Sequence, residues 1–287
     1  MKKLILLALI FFSGIFVKAQ NQDSLVISLN DVAVSPEKVW CVKAFIQDEK
    51  KLWMSPVKMM DKDKLYWAPV FGATIIALSR DEKIYSEVKK FQAKHQWVSD
   101  LSPVVTYGGE NVTTLSTCAL FYFGGLVFKN DKAKQTGLMA TEALLHAGFI
   151  VTLGKLFTGR QRPSFDNGKD YWNWFPTSLN AFKKDYKQSG YDAFPSGHTI
   201  AAWSVATVIA KQYKDIKIVP IICYTLATGV GISRLTQDAH WMSDVIIGGA
   251  LGYSIGSFVV RERTNTKFSL LPVTDGKSVM LSSTFKF

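Results

Sequence analysis

The sequence predicts an all-α protein, a helical bundle of about six core apolar helices. Two observations carry this. Apolar runs of helical length recur along the chain, and short charged or turn-forming stretches separate them. The composition, 48% hydrophobic and 20% charged, provides a core and excludes a disordered chain.

The runs are Trp67–Ser79, Thr113–Phe128, Gly137–Gly154, Thr199–Ala210, Ile218–Ser233 and Val245–Val260. The linkers Lys129–Lys134 and Lys211–Lys217 are short and basic, so the helices they join should be antiparallel neighbours. Residues 164–194 read as one long loop carrying Tyr171, Trp172, Trp174, Phe175, Tyr186, Tyr191 and Phe194. A loop of this length tends to be functional, as a cap over a site or a lipid contact. In the tail, Leu270–Val273 and Ser278–Phe287 flank Asp275-Gly276, a hairpin pattern.

The N-terminus has the layout of a secretory signal. Lys2 and Lys3 precede an apolar stretch from Leu4 to Val17, and Val17-Lys18-Ala19 suits cleavage after Ala19. The expected organisation is a signal peptide at 1–19, an N-terminal arm with a short amphipathic helix at 20–62, a catalytic domain at 63–262 and a tail at 263–287. The net charge of +11 suits an anionic substrate or membrane surface. No nucleic-acid motif is present, and no nucleic-acid partner is expected. Cys41, Cys118 and Cys223 are odd in number and scattered, which argues against a disulfide framework or a zinc site.

Three blocks carry candidate chemistry. In the third, Ser233-Arg234 leads to His240 and then Asp244, four residues on and on the same face if both lie on a helix. A carboxylate bonded to one ring nitrogen leaves the other as a nucleophile. In the second, Pro195-Ser196-Gly197-His198 precedes an apolar helix. Ser196 is a good N-cap, and the backbone amides of Gly197 and His198 would face a phosphate at that helix start. His198 would protonate the leaving oxygen. The first block supplies cations, Lys155 and Arg162, to which Arg234 adds a third. Such a set neutralises a transferring phosphoryl group without a metal. His240 must be neutral to attack and His198 protonated to donate, so a bell-shaped rate profile is expected. His146 reads as a satisfied core histidine, Glu142 as a carboxylate in need of a partner, and Arg160 and Gln161 as the edge of the site.

Taken together, the spacing of Lys155, Arg162-Pro163, Pro195-Ser196-Gly197-His198, Ser233-Arg234, His240 and Asp244 resembles the signature of the type 2 phosphatidic acid phosphatase family. That family also holds vanadium haloperoxidases and bacterial acid phosphatases. The resemblance implies a helical core with the active site at one end. It makes His240 the nucleophile and Asp244 its partner. His198 becomes the general acid, and Lys155, Arg162, Ser196, Gly197 and Arg234 the phosphate-binding set. No metal or other cofactor is implied, except vanadate under the haloperoxidase reading. A phosphorylated lipid or isoprenyl diphosphate is the favoured substrate. A soluble periplasmic acid phosphatase acting on small phosphomonoesters and a haloperoxidase are the alternatives. The six runs resemble the spans of the family's lipid phosphatases, but most are shorter than the roughly 20 residues usual for a span. The expected location is the periplasmic side of the cell envelope, with membrane contact either peripheral or integral.

Overall fold

The computed structural model describes residues 47–52, 61–165, 167–178, 190–265, 268–274 and 279–285. The expected signal peptide, Cys41 and Tyr186 lie outside the described residues. The protein is all-α in its core. The helices are α1 (Asp61–Leu78), α2 (Asp81–Lys94), α3 (Gln96–Thr106), α4 (Asn111–Val127), α5 (Asp131–Thr158), α6 (Gly197–Gln212), α7 (Ile218–Thr236) and α8 (Met242–Asn265). A hairpin of β1 (Phe268–Thr274) and β2 (Val279–Phe285) follows, with Phe268 opposite Phe285. Each predicted apolar run falls on a helix, and the predicted hairpin forms.

Helix α6 is the axis of the bundle. From Thr199 to Ala210 nearly every residue is buried, which explains a sequence that is apolar or small on all faces. Helices α5, α7 and α8 pack around it, and α4 packs on α5. The core joins Ile200 and Val208 of α6 to Phe121, Val219, Ile255 and Val259. Helix α8 comes close to α6 because Gly252 and Gly256 lie on the contact. A Cβ at Gly252 would sit 2.6 Å from the Ile200 carbonyl oxygen, and one at Gly256 2.7 Å from that of Ser204. This approach sets the first turn of α8 beside the start of α6.

Local chemistry fixes the helix ends that matter. Asn130 caps α5 by accepting from the Ala133 amide at 3.0 Å. The helix stops at Gly159, which adopts φ 48° and donates to the Lys155 carbonyl at 3.0 Å. The chain therefore turns just past Lys155 and carries Arg160 and Arg162 back over the same end of the bundle.

At the other end of α5 and α8, the segment 47–52 is tied down by charge. Glu49 bonds His146 Nδ1 at 2.7 Å, Arg263 reaches Asp48 at 2.9 Å and Glu142 at 2.8 Å, and Lys51 meets Glu262 at 2.7 Å. The partner that Glu142 requires is thus Arg263, and His146 is a satisfied core histidine. Asp48, Glu142 and His146 have metal-ligand spacing, but the Arg263 guanidinium already supplies a cation there.

Asp131–Thr158, Ile218–Thr236 and Met242–Thr264 are long and apolar enough to cross a membrane. Large apolar side chains such as Ile75, Val112, Phe123, Val127, Ile221 and Leu226 are exposed on the outer helices. Surface of this kind on helices of this length marks a membrane-associated protein.

Candidate active site

The three blocks converge where α5 ends, α6 begins, α7 ends and α8 begins. One extended segment, 190–196, stitches them together. The Arg162 amide donates to Gly190 at 2.5 Å, and the Ala193 amide to Arg160 at 2.9 Å. The Thr158 hydroxyl reaches the Phe194 carbonyl at 3.3 Å, and the Ser196 amide reaches the Asp244 carbonyl at 3.3 Å. Residues far apart in sequence are held in register by the backbone of this segment.

His240 is buried, with 3% of its surface exposed. It does not lie on a helix, because α8 starts at Met242. The expected shared helix face with Asp244 is therefore replaced by a turn. His240 Nδ1 lies 2.6 Å from the Ala193 carbonyl oxygen. A carbonyl only accepts, so Nδ1 carries the proton and Nε2 keeps its lone pair when the ring is neutral. Asp244 stands 3.7 Å from Nδ1, beyond hydrogen-bond range. Its carboxylate instead accepts from the Trp241 amide at 2.8 Å and from Arg160 and is fully buried. The Trp241 bond is half of a capping box, with Asp244 in the first turn reaching back to the residue before the helix. Asp244 thus fixes the turn that presents His240.

Arg160, expected at the edge, is instead at the centre and wholly buried. It bonds Asp170 at 2.9 and 2.7 Å, Asp81 at 2.6 Å and Ser243 at 2.7 Å, besides Asp244. Its guanidinium lies 4.6 Å from the Trp172 ring and 5.2 Å from that of Trp241. Asp81, Asp170 and Trp172 were not foreseen as its partners.

Ser196 takes the N-cap position of α6, but its hydroxyl pairs with Thr199 at 2.8 Å and makes no bond to the backbone. The first-turn amides of Gly197 and His198 have no partners within the helix, as at any helix start. Arg234 donates to Thr106 at 3.1 Å and Gln237 at 2.8 Å, while its buried Nε has no hydrogen-bond partner. Lys155 and Arg162 both bond Asp192, a residue outside all three blocks.

The electrostatics favour neutral imidazoles. Burial, followed by Arg162, Arg234 and Lys155, holds His240 well below the usual histidine range, and the Ala193 bond opposes this only in part. Burial, Arg234, His240, Lys155 and Arg162 lower His198 to about 4. Below the unfolded value near 6.5, the unfolded chain binds protons at these positions that the folded chain refuses. Their neutral-state stabilisation is complete above that pH and is lost as pH falls below it. His240→Asn removes one such group, so its melting temperature is expected to fall less than the wild type's between pH 7 and 4. Parallel melting curves across that range would contradict the reading.

Residues 136–267 match the sequence model of the PAP2 superfamily. The chain is 26% identical over 222 residues to a lipid A 1-phosphatase of Porphyromonas gingivalis, covering 72% of this chain and 42% of that protein. It thus spans under half the length of that relative. A lipid A 1-phosphatase of Rhizobium johnstonii is 26% identical, covering 61% of this chain and 72% of that one. The fold is shared with a transmembrane PAP2 type phosphatidylglycerolphosphate phosphatase from Bacillus subtilis. There the TM-score is 0.52 at 21% identity, covering 70% of this chain and 96% of that one. Over residues 136–267 the chain is thus similar to the PAP2 superfamily, the type 2 phosphatidic acid phosphatases, and its bundle has the fold of the Bacillus subtilis phosphatase.

Proposed function

We propose that this chain is a metal-independent lipid phosphate phosphatase that works through a phosphohistidine on His240. The observation that carries the reading is the fixed tautomer of His240. Its Nδ1 proton is engaged by Ala193, which leaves a neutral Nε2 lone pair under the field of Lys155, Arg162 and Arg234. Nε2 attacks phosphorus, the bond from phosphorus to the lipid oxygen breaks, and that oxygen takes a proton from His198. His198 then removes a proton from water, whose oxygen attacks phosphorus and breaks the P–N bond. Inorganic phosphate leaves, and His240 returns to its neutral form. The phosphate charge set against the same three cations raises His198, so substrate itself brings the acid form into being. Ser196, Gly197 and the start of α6 complete the phosphate cradle, and Asp244 orients His240 through the Trp241 turn.

A lipid substrate is favoured over a small ester by the apolar surroundings. A groove of about 830 Å³, lined by Ile84, Phe91, Trp97, Leu101 and Ile232, runs past Ser233 and Thr236 on either side of Arg234. Lys83, Lys90 and Lys94 also line it, charges that suit an anionic lipid. The names of the curated relatives, lipid A 1-phosphatases among them, support the same substrate class. The layout of residues 1–19 supports a cleaved signal and a site on the periplasmic side, with a catalytic domain at 63–262.

The test is phosphate release by detergent-purified protein from phosphatidate, undecaprenyl diphosphate and p-nitrophenyl phosphate, with and without EDTA. Release is expected to be fastest on a lipid and unchanged by EDTA, because side-chain cations do the work a metal would do. Abolition by EDTA would overturn the metal-free route. Halide-dependent bromination after vanadate loading, with no phosphate release, would make the chain a haloperoxidase.

A further inference from the structure

Asp192 has no part in the reaction just described, yet it holds two of the three cations assigned to phosphate. Its carboxylate accepts from Arg162 Nε at 2.6 Å and Nη2 at 2.7 Å, and from Lys155 Nζ at 3.2 Å. The two-pronged bond to Arg162 is the geometry a guanidinium uses for two phosphate oxygens. Arg234 differs, since its side chain donates to Thr106 and Gln237, both neutral. The backbone around Asp192 is pinned. Gly190 and Ala193 bond the main chain of Arg162 and Arg160, and the Ala193 carbonyl holds His240. The carboxylate is thus fixed against the cradle by the same segment that orients the nucleophile. Burial works to raise its pKa, but Arg162 and Lys155 prevail and hold it below the usual carboxylate range, so it stays anionic.

We infer that Asp192 is an internal counter-anion, a positioning residue that keeps Lys155 and Arg162 in register and competes with phosphate for both of them. The inference rests on the phosphatase reading above. Lysine and arginine lose much rotamer freedom when they are ordered. Asp192 imposes that order before substrate arrives, which places the cost outside the chemical step. The same carboxylate opposes the charge of any bound oxyanion. Ground-state binding of substrate and of product phosphate is thereby weakened, and product leaves readily.

The experiment uses the full chain in detergent, with inorganic phosphate and orthovanadate as probes in calorimetry and in inhibition of phosphatidate hydrolysis. Asp192→Asn keeps the shape and removes the charge. It is expected to bind either oxyanion about tenfold more tightly, and to lower KM and kcat together. Asp192→Glu pushes the carboxylate deeper into the cradle and should bind both more weakly than wild type, a result that does not depend on the Asn variant folding. A mere structural prop would leave oxyanion binding unchanged or weaker in Asp192→Asn. That outcome, or tighter binding by Asp192→Glu, overturns the inference alone. A wild type that binds neither oxyanion overturns the phosphatase reading, and the inference with it.

Discussion

His240→Asn is expected to reduce phosphate release on the order of a thousandfold or more, while leaving the fold in place. The choice of asparagine follows from the geometry. Its carboxamide nitrogen falls near the position of Nδ1 and can still donate to the Ala193 carbonyl, 2.6 Å from the imidazole in the wild type. The variant thus keeps the hydrogen bond that seats the turn and deletes only Nε2. A second measurement separates loss of the nucleophile from loss of binding. Wild type quenched in alkali during turnover of labelled substrate should carry an alkali-stable, acid-labile phosphoryl group, and the variant none. A variant that retains a tenth of wild-type activity would remove His240 from the nucleophile's place.

The second large effect is on stability. Arg160→Ala should destabilise the protein by about 3–5 kcal/mol, because it leaves Asp81, Asp170 and Asp244 as buried or half-buried carboxylates without their shared cation. For a domain of this size that is roughly a 10 °C drop in melting temperature. Arg160→Lys keeps the charge but not the planar fork or the stacking on Trp172 and Trp241, so it should lie between the two. Activity should fall with stability in Arg160→Ala, since Asp244 anchors the turn before α8. A melting temperature within about 3 °C of wild type would show that the three carboxylates find other partners.

Much of this was legible in the residues. The six apolar runs mark six helices, because a bundle helix that buries a wide face must be apolar over its length. Helices α2 and α3 escape such a reading. In α2 the apolar residues Ile84, Val88 and Phe91 are separated by charged ones, a helical spacing that a search for apolar periodicity would find where a search for runs does not. The blocks place the lysine, arginines and histidines at one end of the bundle, as the family resemblance implied. What spacing could not convey is the pairing made by chain return. Asp192 and Ala193 meet the first block only because residues 190–196 lie across Arg160 and Arg162. Nor does the sequence show that Asp244 turns to Trp241 and Arg160. The interval of four from His240 fits a helix face as well as it fits a cap, and the start of α8 at Met242 decides between them.

The same bond between the Arg162 amide and the Gly190 carbonyl has a consequence for the residues between them. It brings the two ends of the stretch 163–189 together, and within that stretch Asp170 and Trp172 come back to Arg160. Doubling the length of such an excursion costs only about 0.6 kcal/mol of closure entropy. Added length between Ser178 and Gly190 is therefore expected to leave the melting temperature almost unchanged, whereas substitution of Asp170 or Trp172, which hold Arg160, is expected to lower it.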